Sequence, residues 1–198
     1  MTPPDSSPSA RKVELLERSY RYVLEHGLAD LSLRPLAAAI GSSPRVLIFL
    51  FDSKDGLVRA LLNRARADEL ALLERLPGPG TEDPAGLQVV AEQVWSWLSR
   101  ADHRPLLMLW LEGYSRSLVN PGGVWSDFAR VTVQDWMAVL AEAQPPAERD
   151  SEAGRARRTL LLAVLRGALL DLLATGDTER TTAAVRQHLD ELGSRYPG

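Results

Sequence analysis

Residues 33–57 read LRPLAAAIGSSPRVLIFLFDSKDGL, and this stretch decides the fold prediction. Ser32 can N-cap a first helix, and Gly41 can end it, because glycine accepts the backbone conformation that closes a helix. Ser43 can cap a second helix, with Pro44 at the first helical position, where proline is favoured. The pattern predicts two short helices joined by a tight Gly-Ser-Ser turn, which is the layout of a helix-turn-helix.

The side chains on both sides of the turn predict how the two helices pack. Ala37 is small enough to let them cross closely, while Leu47 and Phe51, four residues apart, can hold the second helix against the first. Its opposite face is then free to enter the major groove of DNA. The turn alone fits an ordinary helical hairpin equally well, so the surrounding residues have to separate the two interpretations.

Elsewhere the apolar residues recur at spacings of three and four, which predicts an all-α protein. Capping and breaking residues divide it into about nine helices. Their expected ranges are 9–26, 32–40, 43–52, 53–76, 84–101, 104–119, 123–143, 150–175 and 177–193. Residues 1–8, rich in proline and serine, are expected to form a disordered lead-in.

Composition limits the class of protein. The chain has 198 residues, 45% hydrophobic and 25% charged, as in ordinary globular proteins. It contains no cysteine, which excludes disulfides, thiolate metal sites and a cysteine nucleophile. The longest apolar runs have six residues, too few to span a bilayer, and the N-terminus lacks the apolar stretch of a signal peptide. We therefore expect a cytoplasmic protein with no membrane partner.

The sequence offers little for catalysis. Its three histidines lack metal-ligand spacing, and neither a glycine-rich phosphate loop nor a Gly-x-Ser-x-Gly motif occurs. We predict that the protein is not an enzyme and that it binds neither a cofactor nor a metal ion. An all-α enzyme remains an alternative, because catalytic residues need not be neighbours in sequence.

The residues around the turn carry a family resemblance. They are Leu15-Leu16, Tyr22-Val23-Leu24-Glu25-His26-Gly27, Leu31-Ser32-Leu33-Arg34-Pro35-Leu36-Ala37, Gly41-Ser42-Ser43, Leu47 and Phe51-Asp52-Ser53-Lys54-Asp55-Gly56-Leu57. The most specific part is Phe51-x-Ser53-Lys54-x-x-Leu57, placed directly after the turn. This segment of about 50 residues resembles the DNA-binding domain of TetR-family transcriptional regulators.

The resemblance implies an architecture and a mode of action. Residues 1–56 would form a three-helix DNA-binding domain, and residues 57–198 a larger helical domain for ligand binding and dimerisation. The protein would be a homodimer on a palindromic operator, most simply a repressor released by a small molecule. The alternative is a protein-interaction module of the same fold with weak or no operator binding.

Some of the predicted DNA-binding residues differ from the family pattern. The whole predicted set is Ser32, Arg34, Ser42, Ser43, Pro44, Arg45, Val46, Ile48, Phe49, Leu50 and Lys54. The family usually has a phosphate-contacting tyrosine at the Ile48 position and a polar or aromatic pair at Phe49 and Leu50. Residues 1–56 also carry seven cations and seven anions, so phosphate contacts are expected to be few.

Two interpretations of this apolar helix remain open. In the first, its apolar side chains contact thymine methyl groups, and Arg45 bonds a base edge such as guanine. In the second, DNA binding is weak or lost, and the apolar face contacts a protein.

All five tryptophans lie between residues 95 and 136, which predicts a site for a small, mostly hydrophobic effector. Its candidate residues are Trp95, Met108, Trp110, Glu112, Tyr114, Trp125, Phe128 and Trp136. Filling a helical core is the alternative for each apolar member. Glu112 either pairs with Arg116 on a helix face or serves as the acid for a cationic ligand.

The long helix over 150–175 is apolar on more than one face, so a second copy of the chain is expected to cover part of it. The predicted interface residues are Leu161, Leu165, Ala168, Leu169, Leu172, Val185, Leu189 and Leu192. Complete burial within the monomer is the alternative. Arg155, Arg157 and Arg158, early in the same helix, are expected on the solvated surface.

Overall fold

The computed structural model describes residues 10–28, 30–73, 86–120 and 122–195, which form ten α-helices, a short 3₁₀ helix at Ala101–His103 and no strand. The helices are α1 (Ala10–His26), α2 (Leu33–Ala39), α3 (Pro44–Phe51), α4 (Lys54–Leu73), α5 (Gly86–Leu98), α6 (Arg104–Val119), α7 (Phe128–Glu142), α8 (Pro146–Arg149), α9 (Glu152–Thr175) and α10 (Thr178–Arg195). The all-α prediction is confirmed.

The helix boundaries differ most from the prediction at two places. α8 is one extra turn of helix, formed where Pro145-Pro146 indicated only a break, because a proline at the first helical position needs no N–H partner. α7 begins at Phe128 rather than near residue 123, since turns occupy residues 122–127. The predicted lead-in 1–8 and the Pro-Gly breaker at 77–80 lie outside the described residues.

The described chain divides into two compact units. Unit one contains the residues up to Asp68 together with Met108–Asp127, and unit two contains those of Glu69–Leu107 and everything from Phe128 onward. The division falls within α4 and α6, each of which contributes to both units. The predicted domain boundary after residue 56 stays a prediction.

Unit one has a leucine core and a polar connection between α1 and α4. The fully buried leucines of this core are Leu15, Leu36, Leu47, Leu57 and Leu61. The Tyr20 hydroxyl donates to Asp68 at 2.9 Å, and Arg64 Nε donates to Glu17 at 2.6 Å. Burial and the bond to Asp68 raise the pKa of Tyr20 above its ordinary value, so the phenol stays a neutral donor.

Unit two is built around α9, which packs against α5, α7, α8 and α10. Gly176 ends α9 in the left-handed conformation, with φ +72°, as its position predicted. Arg180 then donates two hydrogen bonds of 2.7 Å to Asp171, joining the end of α9 to the start of α10. These bonds hold the pKa of Asp171 below its ordinary value.

Within the described ranges, no single helix is both long and apolar enough to cross a bilayer, although α2 and α3 pass that test when counted together as one bent pair.

Candidate nucleic-acid interface

The turn between α2 and α3 is closed by a pair of backbone hydrogen bonds. The Ser42 N–H donates to Ala37 O at 2.8 Å and the Gly41 N–H to Ala38 O at 3.3 Å, which is the Schellman pattern. Gly41 has φ +67°, a conformation that a side chain would strain. The requirement for glycine at this position, expected from sequence, is confirmed.

The start of α3 is capped as the sequence predicted. Ser43 has an extended backbone, its Oγ accepts the Val46 N–H at 3.3 Å, and Pro44 follows in the first turn. Ser32 occupies the N-cap position of α2, but its side chain makes no capping bond. The axes of α2 and α3 are bent by 102° at this turn, within the range of helix-turn-helix units.

The two faces of α3 have different exposure. Leu47 and Phe51 are 0% and 3% exposed, so they hold the helix from behind, as predicted. On the front, Arg45 is exposed and Phe49 is 82% exposed. Val46 and Ile48 on the same helix are 37% and 38% exposed, and Leu50 is half-buried. The free face of α3 is therefore mostly apolar, with one cation.

The Phe51-x-Ser53-Lys54 segment forms the corner between α3 and α4. Asp52 ends α3 with φ +66°, and Ser53 Oγ then accepts the Gly56 N–H at 2.9 Å, which caps α4. A Cβ on Gly56 would lie 1.9 Å from the Phe51 carbonyl oxygen. This close approach requires glycine and fixes where Lys54 begins α4.

The segment 33–54 carries three exposed cations, one on each of α2, α3 and α4. They are Arg34, Arg45 and Lys54, and the segment 33–54 contains one anion, Asp52. This segment is therefore locally positive, although residues 1–56 are neutral in total. Together with the N–H groups at the starts of α2, α3 and α4, these cations can bind phosphate oxygens.

Two nearby polar side chains are turned toward the protein instead. Arg18 donates to Ile40 O at 3.2 Å at the end of α2 and pairs with Glu14 at 2.6 Å. The Oγ of Ser42, a predicted DNA contact, is buried in the turn. Sequence reasoning did not assign Arg18 this capping position, which only the crossing of α1 and α2 creates.

The structure distributes the eight predicted effector residues over both units. Met108, Trp110, Glu112, Tyr114 and Trp125 belong to unit one, whereas Trp95, Phe128 and Trp136 belong to unit two.

Along α6, the unit-one members of this set contact one another or nearby groups. The rings of Trp110 and Tyr114 lie 5.0 Å apart. Glu112 Oε2 accepts the Leu28 N–H at 2.8 Å, and its Oε1 lies 3.3 Å from Arg116 Nε. The ion pair with Arg116 is therefore present, and Oε2 accepts a hydrogen bond, whereas Oε1 is buried without one among the described residues.

In unit two, Trp95 and Trp136 donate their indole N–H groups to side chains of other helices. Trp95 Nε1 donates to Thr182 Oγ1 at 3.0 Å, beside a groove of about 470 Å³ between α5 and α10. Trp136 Nε1 donates to Glu69 Oε1 at 2.5 Å, and Phe128 is buried. The described residues contain no cluster of three or more acidic, histidine or cysteine side chains that fits a metal ion.

The predicted dimer residues lie mostly inside unit two. Buried by their own chain are Leu161, Leu165, Leu169, Leu172, Val185 and Leu189, while Ala168 and Leu192 are half-buried. The accessible face of α9 is a different one, which we call the α9 stripe. It consists of Ala156, Leu160, Ala163, Gly167, Leu170 and Ala174, all exposed. Their alternating spacing of four and three defines one helix face, but the buried leucines of α9 have a similar spacing, so the sequence did not separate the two faces.

Comparison with known proteins identifies the fold. No family model and no curated protein matches this chain. Among solved structures, a TetR-family regulator from a Rhodococcus species matches with a TM-score of 0.72 and 19% identity, covering 92% of this chain and 98% of the other. The chain has the fold of TetR-family regulators.

Further structures with this fold come from regulators and from a multidrug-binding protein. A TetR regulator from Haloarcula marismortui matches with a TM-score of 0.68 and 24% identity, covering 92% of this chain and 96% of that one. The multidrug-binding protein EbrR, in complex with imidazole, matches with a TM-score of 0.65 and 23% identity over 94% and 96% of the two chains. EbrR has the same fold in complexes with proflavin and malachite green.

Proposed function

We propose that this protein is a TetR-family transcriptional regulator that binds a palindromic operator as a homodimer. The observation that carries the proposal is the capped α3, whose buried face is held by Leu47 and Phe51, in a segment that also exposes Arg34, Arg45 and Lys54. A helix with one buried and one exposed face, in a segment with three exposed cations, suits the major groove and its flanking phosphates.

Operator binding is tested with the DNA flanking the gene. We expect wild-type protein to shift a palindromic site in a gel, with affinity that falls steeply as salt rises. Arg45→Ala should weaken this binding by ~1–3 kcal/mol and relax specificity at one base pair, because Arg45 would lose its base-edge bond. Arg155→Ala removes an exposed arginine of α9 and serves as the matched control.

Two results would contradict this proposal. If wild type and Arg45→Ala bound the operator with equal affinity, α3 would not be the helix that reads the bases through Arg45. Binding to no duplex at all, even at low salt, would favour the protein-interaction module.

The α9 stripe supports the homodimer. Its repeat of four and three residues is the spacing of a helix–helix seam. Leu160 and Leu170 are 56% and 48% exposed, and a Cβ on Gly167 would have open space around it. Glycine inside a helix costs about 0.5–1 kcal/mol of stability relative to alanine. Close approach of a partner helix at Gly167 would explain why this position has glycine despite that cost. We propose that two α9 stripes pack on each other across a twofold axis.

A small, mostly hydrophobic effector completes the proposal, with repression relieved when it binds. The EbrR complexes support it, because a protein of this fold holds imidazole, proflavin and malachite green. In this chain the candidate contacts in unit one are the ring pair of Trp110 and Tyr114, together with Trp125, whose ring lies beneath the Arg116 guanidinium. A compound that quenches tryptophan emission should also release the operator, and compounds that do neither would argue against an effector.

A further inference from the structure

α3 exposes apolar side chains on the face that the proposed function directs at DNA. Phe49 is 82% exposed, whereas Phe51, two residues later, is 3% exposed. Val46 and Arg45 lie three and four residues before Phe49, so all three share one side of the helix. Single exposed apolar side chains are ordinary on protein surfaces, but here three of the eight α3 residues are large, apolar and more than a third exposed.

The chemistry of these side chains limits what they can contact on a duplex. Phe49, Val46 and Ile48 offer neither donors nor acceptors, so they cannot bond phosphates or the polar edges of bases. In the major groove the one apolar base feature is the C5-methyl group of thymine. The segment 33–54 exposes three cations, Arg34, Arg45 and Lys54, and contains one anion, so its charge favours a polyanionic duplex over an apolar protein surface as the occupant.

We propose, on the basis of the proposed function, that α3 reads thymine through its methyl group and that Phe49 is the specificity-determining residue. Arg45, one helical turn before Phe49, places the guanine-type contact next to this thymine. Each operator half-site should therefore contain a thymine close to the base pair that Arg45 contacts. Removing one buried methyl group should weaken binding about fourfold, and removing the equivalent methyl in both half-sites about fifteenfold.

Deoxyuridine tests the proposal directly, because it pairs as thymine does but lacks the methyl group. The operator duplex found by footprinting is resynthesised with deoxyuridine in place of two equivalent thymines, one in each half-site. Each duplex replaces a different pair of equivalent thymines, and its dissociation constant is measured with the full-length protein. Wild type should bind one such duplex about fifteenfold more weakly than the thymine duplex. Phe49→Ala should bind the thymine duplex more weakly and should no longer distinguish it from the deoxyuridine duplex.

Two further variants control for nonspecific effects. Phe49→Leu keeps an apolar side chain and should retain part of the preference for thymine. Leu118→Ala shortens another exposed apolar side chain, 65% exposed on α6, and should keep the full preference. Because Phe49 is so exposed, its truncation should leave the circular dichroism spectrum and the melting temperature unchanged.

The failures of the two proposals are distinguishable. Equal binding of wild type to all thymine and deoxyuridine duplexes would overturn methyl recognition while leaving operator binding intact. If Phe49→Ala still preferred the thymine duplex over the deoxyuridine duplex as strongly as wild type does, recognition by Phe49 would also be overturned, since another residue would then contact the methyl group. Binding to no duplex would overturn both proposals and leave a protein partner for this face.

Discussion

The role of Glu112 follows from its hydrogen-bond and ion-pair partners in the structure. From sequence it was either an ion-pair partner of Arg116 or an acid for a cationic ligand. The structure places its Oε2 on the Leu28 N–H and its Oε1 near Arg116, and Leu28 is 3% exposed. A Cβ on the neighbouring Gly27 would lie 3.5 Å from the same Oε2. Glu112 therefore joins α6 to the residues that follow α1.

The first prediction concerns this carboxylate. Glu112→Ala should lower the free energy of unfolding by about 1–3 kcal/mol, because the buried Leu28 N–H loses its acceptor. Glu112→Gln keeps an acceptor oxygen but loses the charge, so its smaller loss relative to wild type reports the ion pair with Arg116, and the difference between the two variants reports the hydrogen bond to Leu28. Urea unfolding of the three proteins measures both changes. If the alanine variant were as stable as wild type, the bond to Leu28 would have no energetic role.

At the scale of elements, the corner between α3 and α4 determines where the reading helix ends. Its three features are the positive φ of Asp52, the Ser53 cap and the contact of Gly56 with the Phe51 carbonyl. The contact is between backbone groups, so no rotamer change can relieve it. Rigid corners of this kind transmit the position of one helix to the next.

Gly56→Ala tests the corner. The added methyl group would lie 1.9 Å from a carbonyl oxygen, so α3 and α4 must separate. We expect a loss of about 1–3 kcal/mol in stability, together with weaker operator binding. Asp55→Ala, at the exposed neighbouring position, should cost less than about 1 kcal/mol. Thermal unfolding of both variants provides the comparison, and equal melting temperatures would mean that the corner opens without cost.

The element boundaries followed from local signals in the sequence. Ser43, Pro44 and Gly41 act within one helical turn of themselves, and each is found in the predicted role. The extra turn α8 was missed because Pro145-Pro146 is compatible with both a break and a helix start. Ser32 shows the same limit, because its position was predicted correctly but its side chain makes no capping bond.

At the scale of the whole molecule, the proposed dimer depends on which face of α9 the chain leaves uncovered. Leu161, Leu165 and Leu169 face the core of unit two, while Leu160 and Leu170 face outward. A twofold arrangement would bury each outward leucine in both copies. The proposed α9 stripe therefore makes dimerisation sensitive to single substitutions.

Leu170→Glu should separate the dimer. Replacing a buried leucine by a charge in both copies should weaken association at least about a hundredfold. Val89→Glu makes the same change at an α5 side chain that is 43% exposed and should leave the dimer intact. Analytical ultracentrifugation over a range of concentrations measures the two constants. Dissociation by Val89→Glu with an intact Leu170→Glu dimer would place the interface elsewhere.

The basic residues at the start of α9 also required tertiary information. Arg155, Arg157 and Arg158 were all expected in solvent, yet Arg158 is 7% exposed. Its Nη1 donates to Gln144 Oε1 at 2.6 Å and to Arg149 O at 2.7 Å. These acceptors lie nine and fourteen residues away along the chain and come near only when α8 turns back onto α9.

The sequence by itself determined the all-α class, the capped helix-turn-helix and the buried back of α3, because caps, glycines and apolar spacing act over one or two helical turns. Only the tertiary structure decided which face of α9 is exposed, that Arg158 is buried and that Glu112 binds the Leu28 N–H. A helix that is apolar on several faces carries no local mark of which one its own chain will cover. That choice depends on helices distant in sequence, and the packing of the whole chain makes it.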